Sequence, residues 1–336
     1  MNPLLGTTPD HPAFARVFSA LVVALAVLAG EAPTAQAQAW PSKTIRIVVG
    51  FPPGGAADVI ARAVAAALQE TLAQSVVVEN RTGANGNIAG DAVAKSAADG
   101  HTLLMSSGGM VSVNPHIYAK MPFDPAKDLT PVAAAARVLV FLVVRPDFPA
   151  SNAAEFFAYL KANPGKTSFG SPGNGSSPHL AAEMMKSQAG VFAVHLPYRG
   201  AAPALTDLLG GQLDFLFDPG IGLAQVRSGR LRMLAVGSPK RSPLFPDVPT
   251  LDEAGLKGFD ADSIFGFFAP AGTQAEVIER LNREINRILG TQVLRDRISA
   301  LGGEPAPMTP AQFAAKSAED SKRFGAIIRE RKIVGE

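Results

Sequence analysis

The 336-residue chain contains no cysteine. This absence excludes disulfide bonds, thiolate nucleophiles, and zinc or iron–sulfur sites built on cysteine. It also excludes a lipid-modified cysteine at a processing site, so an exported form of the chain is expected to be free rather than lipid-anchored. Any chemistry of the chain must therefore come from other side chains or from the main chain.

Charge is also sparse. Charged residues make up 18% of the chain, the formal net charge is +2, and lysines and arginines form no run. Proteins that bind nucleic acid carry clustered basic surfaces, so no nucleic-acid partner is expected. Hydrophobic residues make up 47%, and the length suffices for two domains of ordinary size, each with its own core.

The one extended apolar run lies near the N-terminus, at residues 17–29. It is shorter than the about 20 residues that span a bilayer. Arg16 precedes this run and the small-x-small pattern Ala-Gln-Ala follows at 35–37, which is typical of a cleaved signal peptide. We therefore predict a signal peptide over 1–37 and export to the periplasm. A membrane anchor and an incorrectly assigned start are the alternatives.

Strand-like and helix-like segments alternate along the rest of the chain. Short β-branched or apolar runs predict strands, and apolar residues at helical spacing predict helices. The first part has predicted strands over 45–49, 76–78 and 101–106, with helices over 57–70 and 87–98. The second part has strands over 166–170, 194–198, 213–217 and 231–236, with helices over 151–162, 178–189, 202–209 and 221–228. This alternation is typical of parallel sheets covered by helices.

The order of these segments predicts an α/β fold with two lobes. We expect lobe 1 to comprise 38–140 and 265–336 and lobe 2 to comprise 141–264, each with a mostly parallel sheet flanked by helices. The chain would cross between the lobes near 138–144 and again near 262–268. Two crossings make a hinge and leave a cleft between the lobes.

Capping sequences predict where the last helices start. The pattern Thr-x-x-Glu occurs at 250–253 and at 273–276, and Thr309 precedes a proline suited to the first helical position. The tail is therefore expected to consist mainly of two long helices that pack back onto lobe 1.

Two loops of similar composition each follow a strand and open a helix, one in each lobe. They have the sequences FPPGGAAD at 51–58 and SPGNGSSP at 171–178. Ligands of open parallel sheets bind beyond the carboxyl ends of the strands. The first turn of a helix has unpartnered amides and a positive dipole end, and both favour an anion. We predict that the loops face each other across the cleft and hold a carboxylate.

Each loop also has an ordinary structural explanation. A glycine-rich turn often precedes a helix only because the backbone must change direction. Ser177 would then be an N-cap, and Asp58 an acid favoured by the helix dipole.

No catalytic motif is present. The chain lacks the nucleophile elbow G-x-S-x-G, a Walker A sequence, G-x-G-x-x-G and H-E-x-x-H. The histidines that follow the predicted signal peptide are not spaced as metal ligands; they are His101, His116, His179 and His195. No catalytic residue, metal or cofactor is therefore expected.

Three further polar residues are candidates for ligand contact. They are His179 in the first turn of a helix, Arg199 after Tyr198, and Asp218 at the end of a strand. Packing at a helix end, exposure in a solvated loop and capping of the next helix are the respective alternatives.

Eight short motifs follow one another from about Trp40 to the C-terminus. They are FPPGGAAD, NRTGANGN, AADGHTLL, FGSPGNGSSPHLAAE, PYRGAAPAL, GRLRMLAV, LFPDVPTLDEAG and APAGTQ. Together they resemble the tripartite tricarboxylate transporter receptor family, also called the Bug receptors. The resemblance implies a two-lobed periplasmic-binding-protein fold, similar to type II, that closes like a Venus flytrap. It also implies a small carboxylate ligand, such as a di- or tricarboxylate, an acidic amino acid, or an aromatic or pyridine carboxylate.

The resemblance further implies which residues contact the ligand. Backbone groups of the two loops, with ordered waters, would hold one carboxylate; the matching residues are Phe51, Gly54, Gly55, Ala56, Asp58, Gly173, Asn174, Gly175, Ser176 and Ser177. Ser106, Ser107 and Asp218 would face the variable end of the ligand. The chain departs from the family at Ile264 and near Phe324, where tryptophan is common, and neither position belongs to the predicted carboxylate site.

The resemblance implies a receptor that hands its solute to the membrane subunits of a tripartite tricarboxylate-type transporter. A receptor that signals to a membrane sensor is one alternative, and a periplasmic enzyme on the same fold is another. The missing pairing of a base with a nucleophile argues against the enzyme. We expect the receptor to be a monomer.

Overall fold

A computed structural model describes residues 40–335. The predicted signal peptide, residues 1–37, lies outside the described residues. Within the described part, no helix has both the length and the apolar character required to cross a membrane. The predicted strands and helices are found at or close to their expected positions.

The first sheet has six strands in the order β11-β4-β10-β3-β1-β2. Their bounds are Ile45–Val49 (β1), Val76–Asn80 (β2), Thr102–Ser106 (β3), Leu129–Val138 (β4), Ser263–Pro270 (β10) and Glu304–Pro305 (β11). Strand β1 pairs in parallel with β2 and β3. Strand β10 runs antiparallel to β3 and β4, and β11 runs antiparallel to β4.

The second sheet has five strands in the order β7-β6-β8-β5-β9. Their bounds are Phe141–Val144 (β5), Ser168–Ser171 (β6), Val194–Pro197 (β7), Phe215–Asp218 (β8) and Arg232–Val236 (β9). Strand β6 pairs in parallel with β7 and β8, whereas β5 runs antiparallel to β8 and β9. We call the part built on the first sheet the first lobe and the part built on the second sheet the second lobe.

The two-lobed α/β fold was predicted, but the sheets are mixed rather than mostly parallel. The reason is the way in which the chain passes between them. Strands β5 and β10 are the first strands that the chain forms after each passage, so each of them runs away from the passage. Their neighbours β8 and β3 run towards the passage, and each pair is therefore antiparallel. The link from β4 to β5 is only Leu139 and Val140, so β5 begins directly at the passage.

Both sheets share one topology. In β2-β1-β3-β10-β4 and β7-β6-β8-β5-β9, the strand formed after a passage (β10 or β5) lies fourth, and the other four strands, counted by their order of appearance, follow the pattern 2-1-3-4 in both sheets. The loop after β1 therefore corresponds to the loop after β6, and the loop after β3 to the loop after β8. Strand order reverses between β1 and β3 and between β6 and β8, which is where open α/β sheets bind ligands.

Helices cover both sheets. Their bounds are Ala56–Leu72 (α1), Asn87–Ala94 (α2), Gly108–Ser112 (α3), Asn114–Ile117 (α4), Pro125–Asp128 (α5), Ala153–Ala162 (α6), Ser177–Ala189 (α7), Ala201–Leu209 (α8), Leu223–Arg227 (α9), Ala275–Leu289 (α10), Gln292–Ala300 (α11) and Pro310–Arg331 (α12). In β5, Phe141 and Val143 join one hydrophobic cluster while Leu142 and Val144 join another. This alternation shows that the second sheet is buried on both faces.

The capping sequences had different outcomes. Thr309 and Gln312 form the reciprocal bonds of a capping box at the start of α12, as the threonine–proline pair predicts. Thr250 and Glu253 also exchange side-chain-to-amide bonds, but no helix follows them. The prediction at 273–276 was wrong, because Thr273 donates its hydroxyl to the carbonyl of Pro270 and Gln274 is the N-cap.

The C-terminal helices pack on the first lobe, as predicted, and α12 reaches further. Helix α10 packs on β4 and α1, and α12 packs on α3 and β4. The last turns of α12 also pack on α7 of the second lobe, where Phe324 and Ile328 share a hydrophobic cluster with Leu180. Arg331 forms an ion pair with Glu183 there, with 3.2 Å between Nε and Oε2.

Candidate functional site

A cleft of about 690 Å³, its solvent-open part included, lies where the carboxyl ends of the parallel strands of both sheets come together. The first lobe contributes Phe51, Pro52, Pro53, Gly55, Ala56, Ala57, Ser107 and Val138 to its walls. The second lobe contributes Pro172, Ser176, Ser177, Pro178, Gly200, Ala201, Ala202, Pro203 and Pro219. Val140, Ser263 and Phe265, from or beside the passages between the sheets, complete the described lining.

Besides the five-residue α3, whose N-cap is Ser107, three helices begin in the wall of this cleft. Their N-caps are Gly55 for α1, Ser176 for α7 and Gly200 for α8, and none of these helix starts has a side chain bound to its free amides. Elsewhere, the side chains of Asn152 and Thr291 cap α6 and α11, whereas α2 and α10 have no side-chain cap. Uncapped helix starts offer amide donors and a positive dipole end, so the cleft is suited to an anion.

No charged side chain occurs in the described lining of the cleft. Its polar side chains are hydroxyls, those of Ser107, Ser176, Ser177 and Ser263, and the remaining wall is apolar or consists of glycine and proline. Main-chain amides and hydroxyls therefore supply its hydrogen-bonding capacity. A carboxylate held only by such neutral donors is bound by geometry and dipoles rather than by a counter-charge.

Ser263 is a candidate that the sequence interpretation missed. It is only 2% exposed, and its Oγ has no hydrogen-bond partner within the described chain. A buried hydroxyl without a partner is costly unless a ligand or water completes it. Its position at the start of β10, where the chain returns to the first sheet, could have indicated that it lies beside the cleft.

The third helix start was also missed. The sequence interpretation placed a helix over 202–209 but assigned no ligand contact to its start. Gly200, with φ of 129°, and Ala201 now lie in the cleft wall. The glycine immediately before a helix was the available signal, the same one that marked the other two loops.

Asp58 lies behind the first loop and does not line the cleft. Its Oδ2 accepts the amide of Gly54 at 3.0 Å, and its Oδ1 accepts Nδ2 of Asn80 at 2.9 Å. Arg62 donates its Nε to the same carboxylate at 3.0 Å. Burial disfavours the charged form, but these donors outweigh it and hold the pKa of Asp58 below its usual value. The carboxylate thus fixes the loop whose amides face the cleft.

The second loop is held from behind by two stacked histidines. His179 Nδ1 accepts the amide of Gly175 at 3.0 Å, and His195 Nε2 is 2.7 Å from the hydroxyl of Ser171. The ring centroids of His179 and His195 are 3.9 Å apart. Burial lowers the pKa of His179 to about 4 and that of His195 to about 3, so both rings are neutral near pH 7.

Asp218 is buried beneath the loop after β8. Its Oδ2 accepts the amides of Gly220 and Gly222 at 3.0 and 2.9 Å, which is the capping role weighed above. Its Oδ1 has no partner among the described residues. Burial raises the pKa of Asp218 to about 6, although the two amide bonds oppose that rise.

The predicted site residues fall into three groups. Phe51, Gly55, Ala56, Ser107, Ser176 and Ser177 line the cleft. Phe51, Gly173 and Asn174 line a second, adjoining cavity. Gly54, Asp58, Ser106, Gly175 and Asp218 appear in neither described lining; they lie in or behind the loops.

The adjoining space, which we call the side cavity, has a volume of about 830 Å³ with its solvent-open part included. It shares Phe51, Pro52, Pro172 and Gly200 with the cleft. Pro52 of the first lobe meets Gly200 of the second lobe closely, since a Cβ on Gly200 would lie 3.1 Å from Pro52 Cγ. Arg199 is the one charged residue in the described lining of the side cavity. No group of three or more potential metal-ligating side chains occurs among the described residues.

Comparison with known proteins gives consistent results. A family model described as "Tripartite tricarboxylate transporter family receptor" matches residues 60–333. Protein BugT of Bordetella pertussis is 39% identical over 305 residues, which cover 90% of this chain and 93% of BugT.

Two solved structures from Rhodopseudomonas palustris are similar over most of the chain. Rpa4515 with adipate has a TM-score of 0.84 at 34% identity, covering 88% of this chain and 99% of its own. MatC with bound malate has a TM-score of 0.80 at 32% identity, covering 86% of this chain and 100% of its own.

Proposed function

Because the chain belongs to the tripartite tricarboxylate transporter family of receptors, we propose that it is a periplasmic receptor that holds a small carboxylate in the cleft between its lobes. The observation that carries this proposal is the convergence of three uncapped helix starts on a cleft whose described lining contains no charged side chain. Both lobes contribute, so an anion held there favours the closed arrangement. The adipate and malate of the similar structures support this ligand class.

The proposal assigns the carboxylate to main-chain donors. The first-turn amides of α1, α7 and α8 would bind its oxygens, with the hydroxyls of Ser107, Ser177 and Ser263 as further donors. Hydrogen bonds to a charged group contribute about 1.5–3 kcal/mol each. Micromolar binding corresponds to about 8 kcal/mol after the cost of association, so several such bonds must act together with the burial of the ligand's apolar part. Asp58 and His179 would orient the two loops without touching the ligand.

The proposal also covers organisation and partners. Lobe 1 would comprise 38–140 and 265–336 and lobe 2 would comprise 141–264. Residues 1–37 would be removed on export, leaving a free, monomeric receptor without cofactor that delivers its solute to the membrane subunits of the transporter. Delivery of a signal to a membrane sensor uses the same closed form and is the second candidate.

Calorimetry on the mature protein tests the ligand class. The protein is unfolded, freed of bound solute and refolded, then titrated with dicarboxylates, tricarboxylates, acidic amino acids and aromatic carboxylates. We expect at least one of them to bind with micromolar or higher affinity, and the fully amidated form of the same compound not to bind. Lack of binding by every carboxylate, or equal binding of the amide, would contradict the proposal. Conversion of a bound compound to a product would instead support an enzyme.

A further inference from the structure

The side cavity adjoins the cleft in which the proposed carboxylate is held. The cleft and the side cavity have Phe51, Pro52, Pro172 and Gly200 in common. Pro52 and Gly200 narrow the space where the two cavities meet. A ligand that extends from the helix starts towards the side cavity has to pass beside Pro52 and Gly200.

Arg199 gives the side cavity its electrostatic character. It is the one charged residue in the described linings of the two cavities, and no acidic side chain occurs in either lining. Arg199 is exposed and forms no hydrogen bond or ion pair with the described part of the chain. Its guanidinium is thus available to an external anion, and its planar donors match the geometry of a carboxylate.

The backbone of Arg199 is fixed from both sides. The amide of Tyr198 donates to the carbonyl of Ser171 at 2.9 Å, and the Tyr198 hydroxyl donates to Asp207 Oδ2 at 2.6 Å. On the other side, Gly200 is the N-cap of α8 and lies in the cleft wall. The arginine is therefore anchored directly beside one of the three helix starts.

We propose that Arg199 recognises a second carboxylate of the ligand in the side cavity, which makes the receptor selective for dicarboxylates. The inference rests on the proposed function, because it requires the first carboxylate to be held in the cleft. The neutral cleft holds one carboxylate of any suitable compound. Arg199 favours those compounds that have a second carboxylate at the other end of the molecule. The side cavity is thus the specificity-determining part of the site.

The experiment combines ligand pairs with protein variants. Straight-chain dicarboxylates of three to eight carbons, their monoamides and the monocarboxylates of equal length are titrated calorimetrically into the wild-type receptor. The tightest dicarboxylate and its monoamide are then titrated into R199Q, R199K and R230Q. Arg230 is a matched control, since it too is exposed and lacks a side-chain partner among the described residues, but it lines neither cavity.

We expect the wild-type receptor to bind the dicarboxylate at least tenfold more tightly than the monoamide. R199Q should remove most of this difference by weakening only the dicarboxylate, R199K should keep part of it, and R230Q should leave it unchanged. Added salt should weaken the dicarboxylate more in the wild type than in R199Q.

Each contrary result has a separate meaning. If the tightest wild-type ligand has a single carboxylate, or if R199Q weakens both members of the pair equally or neither, the assignment of Arg199 is wrong and the proposed function stands. If no carboxylate binds the wild-type receptor, the proposed function itself fails. Melting curves of the four proteins without ligand should coincide, which excludes a folding defect as the cause.

Discussion

At the scale of single residues, the polar side chains nearest the candidate site mostly position the backbone. Asp58 binds the amide of Gly54, His179 binds the amide of Gly175, and Asp218 binds the amides of Gly220 and Gly222. All three were candidates for ligand contact from the sequence, yet none lines the cleft or the side cavity. Sequence alone could not separate the two roles, because both require a polar residue within a few positions of a glycine.

The buried histidines make stability sensitive to acid. Burial lowers the pKa of His179 to about 4 in the folded state, whereas the pKa in an unfolded chain is about 6.5. Between pH 4 and 6.5 the folded state therefore binds fewer protons than the unfolded state. Its contribution is complete above pH 6.5 and is lost as the pH falls towards 4. We expect the His179→Gln variant to lose less folding stability than the wild type as the pH falls, because glutamine can accept the Gly175 amide without titrating.

Urea unfolding at several pH values between 4 and 7 measures the effect. Asp218 and Asp262 have pKa values raised to about 6 by burial and act in the opposite direction, so the quantity to compare is the difference between variant and wild type. His116→Gln is the matched control, since His116 is exposed. Equal acid dependence in the wild type and the His179 variant would show that the ring does not carry the effect.

At the scale of elements, the strand–loop–helix units were predictable and strand β4 was not. A unit such as β1 with α1 has a run of β-branched residues, then a loop that contains glycine, then apolar residues at helical spacing. Each of these patterns can be recognised from a short stretch of sequence. Strand β4 has the sequence LTPVAAAARV, in which alanine and proline disfavour a strand. Ala133 to Ala136 are fully buried between α10, α12 and neighbouring strands, where only a small side chain fits. That requirement comes from tertiary packing, and it produces no alternation of apolar and polar residues from which a strand could be predicted.

The helix starts can be tested by deleting one amide. Ala56 is the first residue of α1, and Gly55 before it is extended, with φ of −77° and ψ of 166°. Proline is tolerated at this position and lacks only the amide proton, so Ala56→Pro should keep the helix and remove a ligand donor. We expect the carboxylate affinity to fall at least tenfold, since a hydrogen bond to a charged group contributes about 1.5–3 kcal/mol.

Ala275→Pro is the matched control. Ala275 is the first residue of α10, its N-cap Gln274 is also extended, and it does not line the cleft. Calorimetry should find wild-type affinity for this variant, and thermal unfolding should find both variants folded. Undiminished binding by Ala56→Pro would exclude the start of α1 from the site.

At the scale of the whole molecule, two features escaped prediction. The shared strand order of the sheets has no counterpart in sequence similarity, because topology depends on which strands pair rather than on which residues they contain. The second feature is the reach of α12 to the second lobe, where Arg331 pairs with Glu183. The helix itself was predicted from its cap, but its length does not reveal which surface its last turns contact.

Ligand binding should stabilise the molecule as a unit. A carboxylate held by both lobes binds only the folded chain, and at a concentration of about one hundred times Kd it adds about 2.7 kcal/mol to the free energy of unfolding. We expect the melting temperature to rise by about 3–8 °C in a thermal scan. The monoamide of the same compound, tested at equal concentration, should produce a smaller rise. A ligand that binds in calorimetry but leaves the melting temperature unchanged would contradict binding to the native cleft.

The neutral lining of the cleft also affects how such a receptor diversifies. The main donors assigned to the first carboxylate are peptide groups, which every amino-acid substitution except proline leaves in place. A mutational survey by alanine replacement would therefore pass over the centre of recognition and report the hydroxyl and arginine positions around it. For the same reason, gene copies of such a receptor can exchange wall residues and acquire new solutes while the shared anchoring chemistry persists.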